Sequence, residues 1–413
     1  MTIREKFEIP QRYKMWSYAL MAIGIISIIL LYITHGAKGG SDPEAVHERA
    51  RFWSSLLQNS VFFLLVVNAA MFMICATILA WAGWNISFRR VSEAIAAAVP
   101  VLGIICGAIL LAIVFGGDHA IYHWTDEEHV KHDPILNYKS GFLNKTFFTI
   151  WTVVTIVLWS LLGWKIRMLS LSTDEKKMTV EEGKRFQWTN TVWAAIFLFV
   201  FALTVMSTIP WLWLMSIDAH WYSTMYSWYT FASTFVSGMS LIALFVIFLK
   251  NRGYLEYTNE EHLHDLGKFM FAFSVFWCYL WFSQYMLIWY SNQPEETKYF
   301  EPRVEGPYRG IFFLNIILNF ITPLLLLMKR GAKRNYTTVT VLAVLIIFGH
   351  WLDFFQMVHP ATSTDHVPMM LYDLGIGFGF VGLIMFIVGR TLAKHPLVPK
   401  NHPFFKESVI HHT

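Results

Sequence analysis

The chain has 413 residues, of which 55% are hydrophobic and only 15% charged, and its mean hydropathy is +0.46. A water-soluble protein carries about 25% charged residues, so the composition excludes a soluble domain and points to an integral membrane protein. The formal net charge of +4 gives no support to nucleic-acid binding and is better explained by topology.

Roughly 20 apolar residues cross a bilayer, and ten such segments follow one another. The first five are about Met15–Thr34, Phe52–Trp84, Val91–Phe115, Phe147–Leu169 and Trp188–Ile209. The other five are about Trp228–Leu249, Phe269–Tyr290, Ile311–Met328, Thr337–Val358 and Met369–Val388. The expected fold is an all-α integral membrane protein of about ten transmembrane helices. The stretch before the first segment, MTIREKFEIPQRYK, is charged, and no small-residue cleavage site follows the apolar run. The first helix is therefore expected to stay as an anchor.

Orientation follows from the loops. Of 32 Lys and Arg, 23 lie at the two ends of the chain and in the loops after the second, fourth, sixth and eighth segments, against 9 in the opposite loops. Both termini are expected to be cytoplasmic. The three cysteines, Cys75, Cys106 and Cys278, fall inside predicted helices. They are too few for a four-cysteine cluster, and no C-x-x-C-H haem motif is present.

Segments 2–5 and 6–9 read as two copies of one four-helix unit. The fourth, NKTFFTIWTVVTIVLWSLLGWKIR, and the eighth, YRGIFFLNIILNFITPLLLLMKRG, share a basic start, a Phe pair, an apolar run and a basic stop. The third and seventh open with the acids Glu93 and Asp265 and end in polar aromatic stretches, GGDHAIYHW and FSQYMLIWY. An even number of helices per copy makes the copies parallel. The partition is residues 1–51 as anchor helix and outer loop, 52–227 and 228–366 as the two repeats, and 367–413 as the last helix and tail. Two outer loops stand out: DHAIYHWTDEEHVKHDP, with four His and five acids, and PWLWLMSIDAHWYSTMYSW, with no Lys or Arg.

The chemistry concentrates in the stretch FGHWLDFFQMVHP of the ninth segment, where His350, Asp353 and Gln356 sit in an apolar run and His359 at its edge. A polar group at such depth needs a partner or a task. His350 lies roughly 4 Å outward of the segment middle and Asp353 about 8 Å. Their i, i+3 spacing puts them on one face. Gln284 and Asp373 occupy outer halves of other segments, and Asp118 and His119 lie just past the outer end of the third. Three readings stand: a quinone head-group site, a proton half-channel opening outward, and polar ties between helices. Glu93, His264 and Asp265 are candidates for an inner proton entrance. A bis-His haem site would need two deep His on facing helices, and only His350 is deep. The loop histidines His119, His123, His129 and His132 match no familiar metal-ligand spacing.

Ten helices, a duplicated four-helix unit flanked by the first and last helices, and outer polar clusters together resemble the NrfD-like (polysulfide reductase membrane subunit) family. The stretches carrying the likeness are IPWLWLMSIDAHWYSTMYSW, FSQYMLIWYSNQPEE and FGHWLDFFQMVHP, and it covers almost the whole chain. Within that family the chain is similar to the large membrane subunits of bacterial alternative complex III. The resemblance implies a quinol:electron-acceptor oxidoreductase of a respiratory chain, with menaquinone or another quinone as reductant. It further implies partners: a second NrfD-like subunit, an iron–sulfur protein and c-type cytochrome subunits, the last two holding the clusters and haem c. A chain of this kind then has no redox cofactor of its own. A secondary transporter with parallel repeats and a purely structural membrane anchor remain the alternatives.

Overall fold

The computed structural model describes residues 5–40, 42–117, 119–175 and 177–412. Ten helices in it are long and apolar enough to cross a membrane: α1 Gln11–Gly36, α2 Pro43–Leu79, α3 Arg89–Phe115, α4 Lys145–Asp174, α5 Val180–Trp213, α6 Met225–Asn251, α7 Glu260–Ser291, α8 Arg309–Leu327, α9 Tyr336–Thr362 and α10 Leu371–Lys394. Among the described residues there is no strand. The all-α membrane fold expected from hydropathy is what forms.

Local chemistry marks the helix starts. Asp42 caps α2 by accepting from Ala45 N, with Pro43 in the first turn. Asn144 accepts from Phe147 N at 2.7 Å at the start of α4. Thr179 and Glu182 form a capping box on α5, and Asn335 caps α9 through Thr338 N. Each cap satisfies an amide that the first turn leaves without a helical partner. Several helices overrun the apolar runs. α2 begins nine residues before Phe52, and α7 begins nine before Phe269, because polar first turns continue the helix beyond the hydrocarbon.

The packing forms two four-membered rings. In the first, α2 meets α3, α3 meets α4, α4 meets α5 and α5 returns to α2; in the second, α6, α7, α8 and α9 close the same way. The rings join where α2 packs against α6 and α9. These central positions explain why the apolar windows of α2 and α6 are 89% and 83% buried, against 17% for α1. α10 packs on α2 and α3 outside the rings, and α1 lies mainly on α10.

The α1–α10 contact is a small-residue interface. A Cβ placed on Gly24 would lie 2.4 Å from the Gly379 Cα, so the two backbones touch. Ser17 Oγ donates to Gly382 O at 2.9 Å and Tyr13 OH to Met385 O at 2.7 Å.

Three spans are interrupted part-way along, while α1 only ends in a π-helical turn, Tyr32–Gly36. α3 breaks at Ala97–Ala98, just before Pro100. α5 and α8 each carry one wide π-helical turn, Thr204–Thr208 and Ile317–Ile321, next to Pro210 and Pro323. These interruptions fall on the second and fourth helices of the first ring and on the third of the second.

Both ends of the chain emerge on one face. There, residues 397–412 run back beneath the rings: Leu397 N donates to Glu5 O, Gly83 N to Glu407 Oε1, and Asn259 Nδ2 to His411 O.

A candidate proton-handling network in the second ring

Asp353 lies inside the second ring, 1% exposed. Three helices converge on it. From α7, Trp277 Nε1 donates to its Oδ2 at 2.9 Å; from α6, the Tyr229 hydroxyl donates to its Oδ1. His350, one turn earlier on α9, places Nδ1 3.8 Å from Asp353 Oδ2 and 3.0 Å from Ser233 Oγ of α6. The Trp277 ring meets the imidazole edge-on, centroids 5.3 Å apart. The i, i+3 spacing thus does bring His350 and Asp353 to one face.

Gln284 lies on α7 seven residues after Trp277, two helical turns along the same face. Together with Asp353, Gln356, Tyr229, Tyr299 and Arg303 it lines a cavity of about 20 Å³. That is room for one water and no more. Gln356 is fixed by Asn315 Nδ2, which donates to its Oε1 at 3.1 Å, and by its own donation to Tyr308 O at 3.3 Å.

Arg303 is the functional candidate that sequence reading missed. It lies in the short helix Glu301–Val304 of the loop between α7 and α8, where a basic residue reads as solvated. Instead it is 4% exposed, with its guanidinium 3.5 Å above the Tyr299 ring. Its Nε donates to Gln356 O at 3.0 Å, and its Nη1 to Tyr299 O. Trp221, from the aromatic loop after α5, stacks on the other face of Tyr299 at 3.9 Å. The only sequence signal was the paired prolines and acids around it, EPRVEGP.

Outward of Arg303 a vestibule of about 610 Å³ opens between the loops. Arg303 lines both it and the inner cavity, with His123, Asp218, Lys298, Glu301 and Glu305 around the rim. Burial, reinforced by neighbouring His129 and His220, pushes the pKa of His123 down.

The other sequence candidates fall elsewhere. Asp118 lies outside the described residues. His119 does not line the cavity or the vestibule; it bonds through Nδ1 to Thr125 Oγ1 at 2.6 Å within its own loop. Asp373 belongs to a separate cluster between the rings. Arg51 Nη2 bonds its Oδ2 at 2.5 Å, and His359 Nε2 lies 3.4 Å from Oδ1 and 3.1 Å from Gln58 Oε1. His359, expected at the membrane edge, is fully buried. It shares α9 with His350, so the two do not face each other across a haem-sized gap.

The inner candidates separate into two groups. Glu93 is held by Arg89 and Arg90 at 3.1 and 3.0 Å. Asp265 is held by Lys268 at 2.5 Å and by His411 of the C-terminal segment at 2.6 Å, with His264 4.0 Å away. Between Asp265 and His350 lie buried polar atoms without a partner among the described residues: Ser274 Oγ, the Asn319 amide and His350 Nε2. Asn319 lies beside Gly349, where a Cβ would come within 2.2 Å of its Oδ1. Glycine is what lets that amide reach the His350 turn.

No protein-family model matches this chain, and no curated protein matches it. It is a multi-pass membrane protein of ten spans, and the specific reading of its function rests on the site.

Proposed function

We propose that this chain is an integral membrane subunit of a quinol:electron-acceptor oxidoreductase, the ActF-type subunit of an alternative complex III, and that the Asp353 network is the outer half of a proton path. The observation that carries the path is continuity. A buried carboxyl borders a one-water cavity, and the same Arg303 that lines this cavity also lines an outward-opening vestibule.

The chemistry is proton exchange. Asp353 Oδ1 and Oδ2 each accept one hydrogen bond, from Tyr229 and Trp277. Proton transfer runs along groups within about 3 Å or through one water, which the cavity can hold between Asp353 and Gln284. His350, with one nitrogen toward Ser233 and the other unpartnered, is placed to pass a proton inward. Quinone chemistry is the weaker reading for this cavity, because a six-membered ring needs far more than the volume of one water.

In this proposal the redox groups belong to the partners: iron–sulfur clusters to an iron–sulfur protein, haem c to c-type cytochromes, and menaquinone or another quinone mainly to a second NrfD-like subunit. The assembly would sit in a bacterial inner membrane with both termini of this chain cytoplasmic. A transporter built on parallel repeats places its broken helices at corresponding positions of the two halves. The interruptions in α3, α5 and α8 do not correspond in that way.

The test is purification of the intact assembly, then Asp353→Asn and His350→Ala assayed in proteoliposomes. Haem and iron–sulfur partners should copurify, and quinol oxidation should survive better than coupled proton movement. An unchanged proton-to-electron ratio in both variants would sink the proton path. Loss of quinol binding in both would favour a quinone pocket.

A further inference from the structure

On the face that carries both chain ends, the C-terminal segment is fastened to both rings. His402 packs edge-on against Phe186 at the start of α5, centroids 5.6 Å apart, and Phe405 packs on Tyr257 of the α6–α7 loop at 5.2 Å. Ser408 then joins the two rings. Its hydroxyl donates to Trp84 O at 2.7 Å and accepts from Ser87 N at 3.0 Å, both in the α2–α3 loop, and lies 3.2 Å from His262 Nε2 of α7.

Fixing Ser408 fixes the residue three places on. His411 O accepts from Asn259 Nδ2 at 3.4 Å, and the His411 ring sits beside those of Trp84 and His262, with centroids 6.3 and 5.4 Å away. His411 Nε2 thereby comes to 2.6 Å from Asp265 Oδ2 in the second turn of α7. Asp265 is nearly buried, whereas the His411 side chain keeps 17% exposure. The imidazole thus holds the carboxylate on one side and meets water on the other.

Charge balance does not call for a group there. Lys268 Nζ already lies 2.5 Å from Asp265 Oδ1. The other ionisable neighbours are His262, bonded to Ser408, and His264, 4.0 Å from Asp265 Oδ1. Of the cations ahead of α9, Arg334 is paired with Glu261 at 2.5 Å and Lys333 donates to Leu327 O at 2.6 Å. What an imidazole adds to this setting is a ring that binds a proton at one nitrogen and releases one from the other.

We propose that His411, carried into place by the C-terminal strap, is the proton-collecting residue at the inner face of the second ring. A proton from water binds Nδ1, and the Nε2 proton passes to Asp265 Oδ2. The products are a neutral imidazole and a neutral carboxyl, and a half-turn of the ring restores the starting tautomer. The inference rests on the proton-path reading above and extends it from the outer half to the inner face.

The intact assembly in proteoliposomes tests it, with His411→Gln, His411→Ala and Asp353→Asn compared for protons moved per electron. His411→Gln keeps a hydrogen-bond donor for Asp265 but cannot carry a proton. Both His411 variants should lower the initial rate of proton movement per electron at least about tenfold, while quinol oxidation persists. Hydrogen exchange across residues 397–410 should be unchanged in His411→Gln. A merely structural tie would let His411→Gln behave as wild type, and that result overturns the proposal. So does a loss of proton movement accompanied by faster exchange across the strap, because the strap has then come loose. Wild-type movement in His411→Gln with a loss in Asp353→Asn removes His411 and leaves the path standing. Unchanged movement in Asp353→Asn overturns the path, and this inference with it.

Discussion

Arg51 and Asp373 close a two-pronged ion pair between α2 and α10, with Nη1 3.1 Å from Oδ1 and Nη2 2.5 Å from Oδ2. Both side chains are almost fully buried, and Arg51 Nη2 also donates to Met369 O at 2.9 Å. The pair fastens α10 to the central helix on the side away from the chain ends, above the glycine contacts that hold α1.

Breaking one side of that pair leaves a buried charge without its counter-ion. Arg51→Ala or Asp373→Asn should each destabilise the fold by about 3–5 kcal/mol. The double variant Arg51→Met/Asp373→Leu should recover most of the loss, because no charge is then stranded. Thermal unfolding in detergent, read as a double-mutant cycle, checks this; additive losses would mean that the pair is not coupled.

The Gly24–Gly379 contact makes a second expectation. Any side chain at either position must push two backbones apart, since a Cβ on Gly379 would lie 2.7 Å from the Gly24 Cα. Gly379→Leu should cost about 1–3 kcal/mol through overpacking and loosen α1, while Gly24→Ala should cost less. The apparent melting temperature, with protease access to the α1–α2 loop, reports both. Because α1 touches neither ring's interior, proton coupling should persist in Gly24→Ala.

The third expectation concerns pH at the C-terminal segment. His402 is 5% exposed, packs edge-on against Phe186, and accepts the Phe404 N–H through Nδ1. Burial, with the Arg89 and Arg90 guanidiniums nearby, pushes its pKa well below the ordinary histidine value. The released segment takes up a proton below about pH 6.5 whereas the docked segment does not. Docking is therefore at full strength above that pH and weakens as pH falls. At about pH 5.5 docking should be measurably weaker than at about pH 7.5. Hydrogen exchange across residues 397–410, corrected for intrinsic rates, should rise on acidification in the wild type. It should rise less in His402→Asn, which keeps an acceptor but cannot titrate.

The legible part of the site was its depth and its face. His350 and Asp353 meet on one side of α9 because a helix repeats every 3.6 residues, and Gln284 joins them from the outer half of α7. The partners were not legible. Tyr229, Ser233 and Trp277 are ordinary residues of aromatic, hydroxyl-rich helices, and nothing local in them signals a carboxylate opposite. Asp373 was grouped with Asp353 because both lie at outer depth. It faces α2 instead, since depth along a helix does not say which neighbour a side chain points toward. Arg303 and Arg51 read as loop or helix-end cations, and packing buried both.

By itself the sequence determined the class, the number of spans and their order. Burying some twenty apolar residues per segment in hydrocarbon outweighs every local preference, and the helix is the only single-segment structure that satisfies its own backbone there. It also determined where polar groups stand along each span. The tertiary structure alone decided the two closed rings, the contact of α2 with α6 and α9, and the separation of the Asp353 and Asp373 networks. Those choices depend on side-chain fit between helices distant in sequence. Lipid solvates an apolar face as well as a neighbouring helix does, so hydropathy carries no record of which faces met.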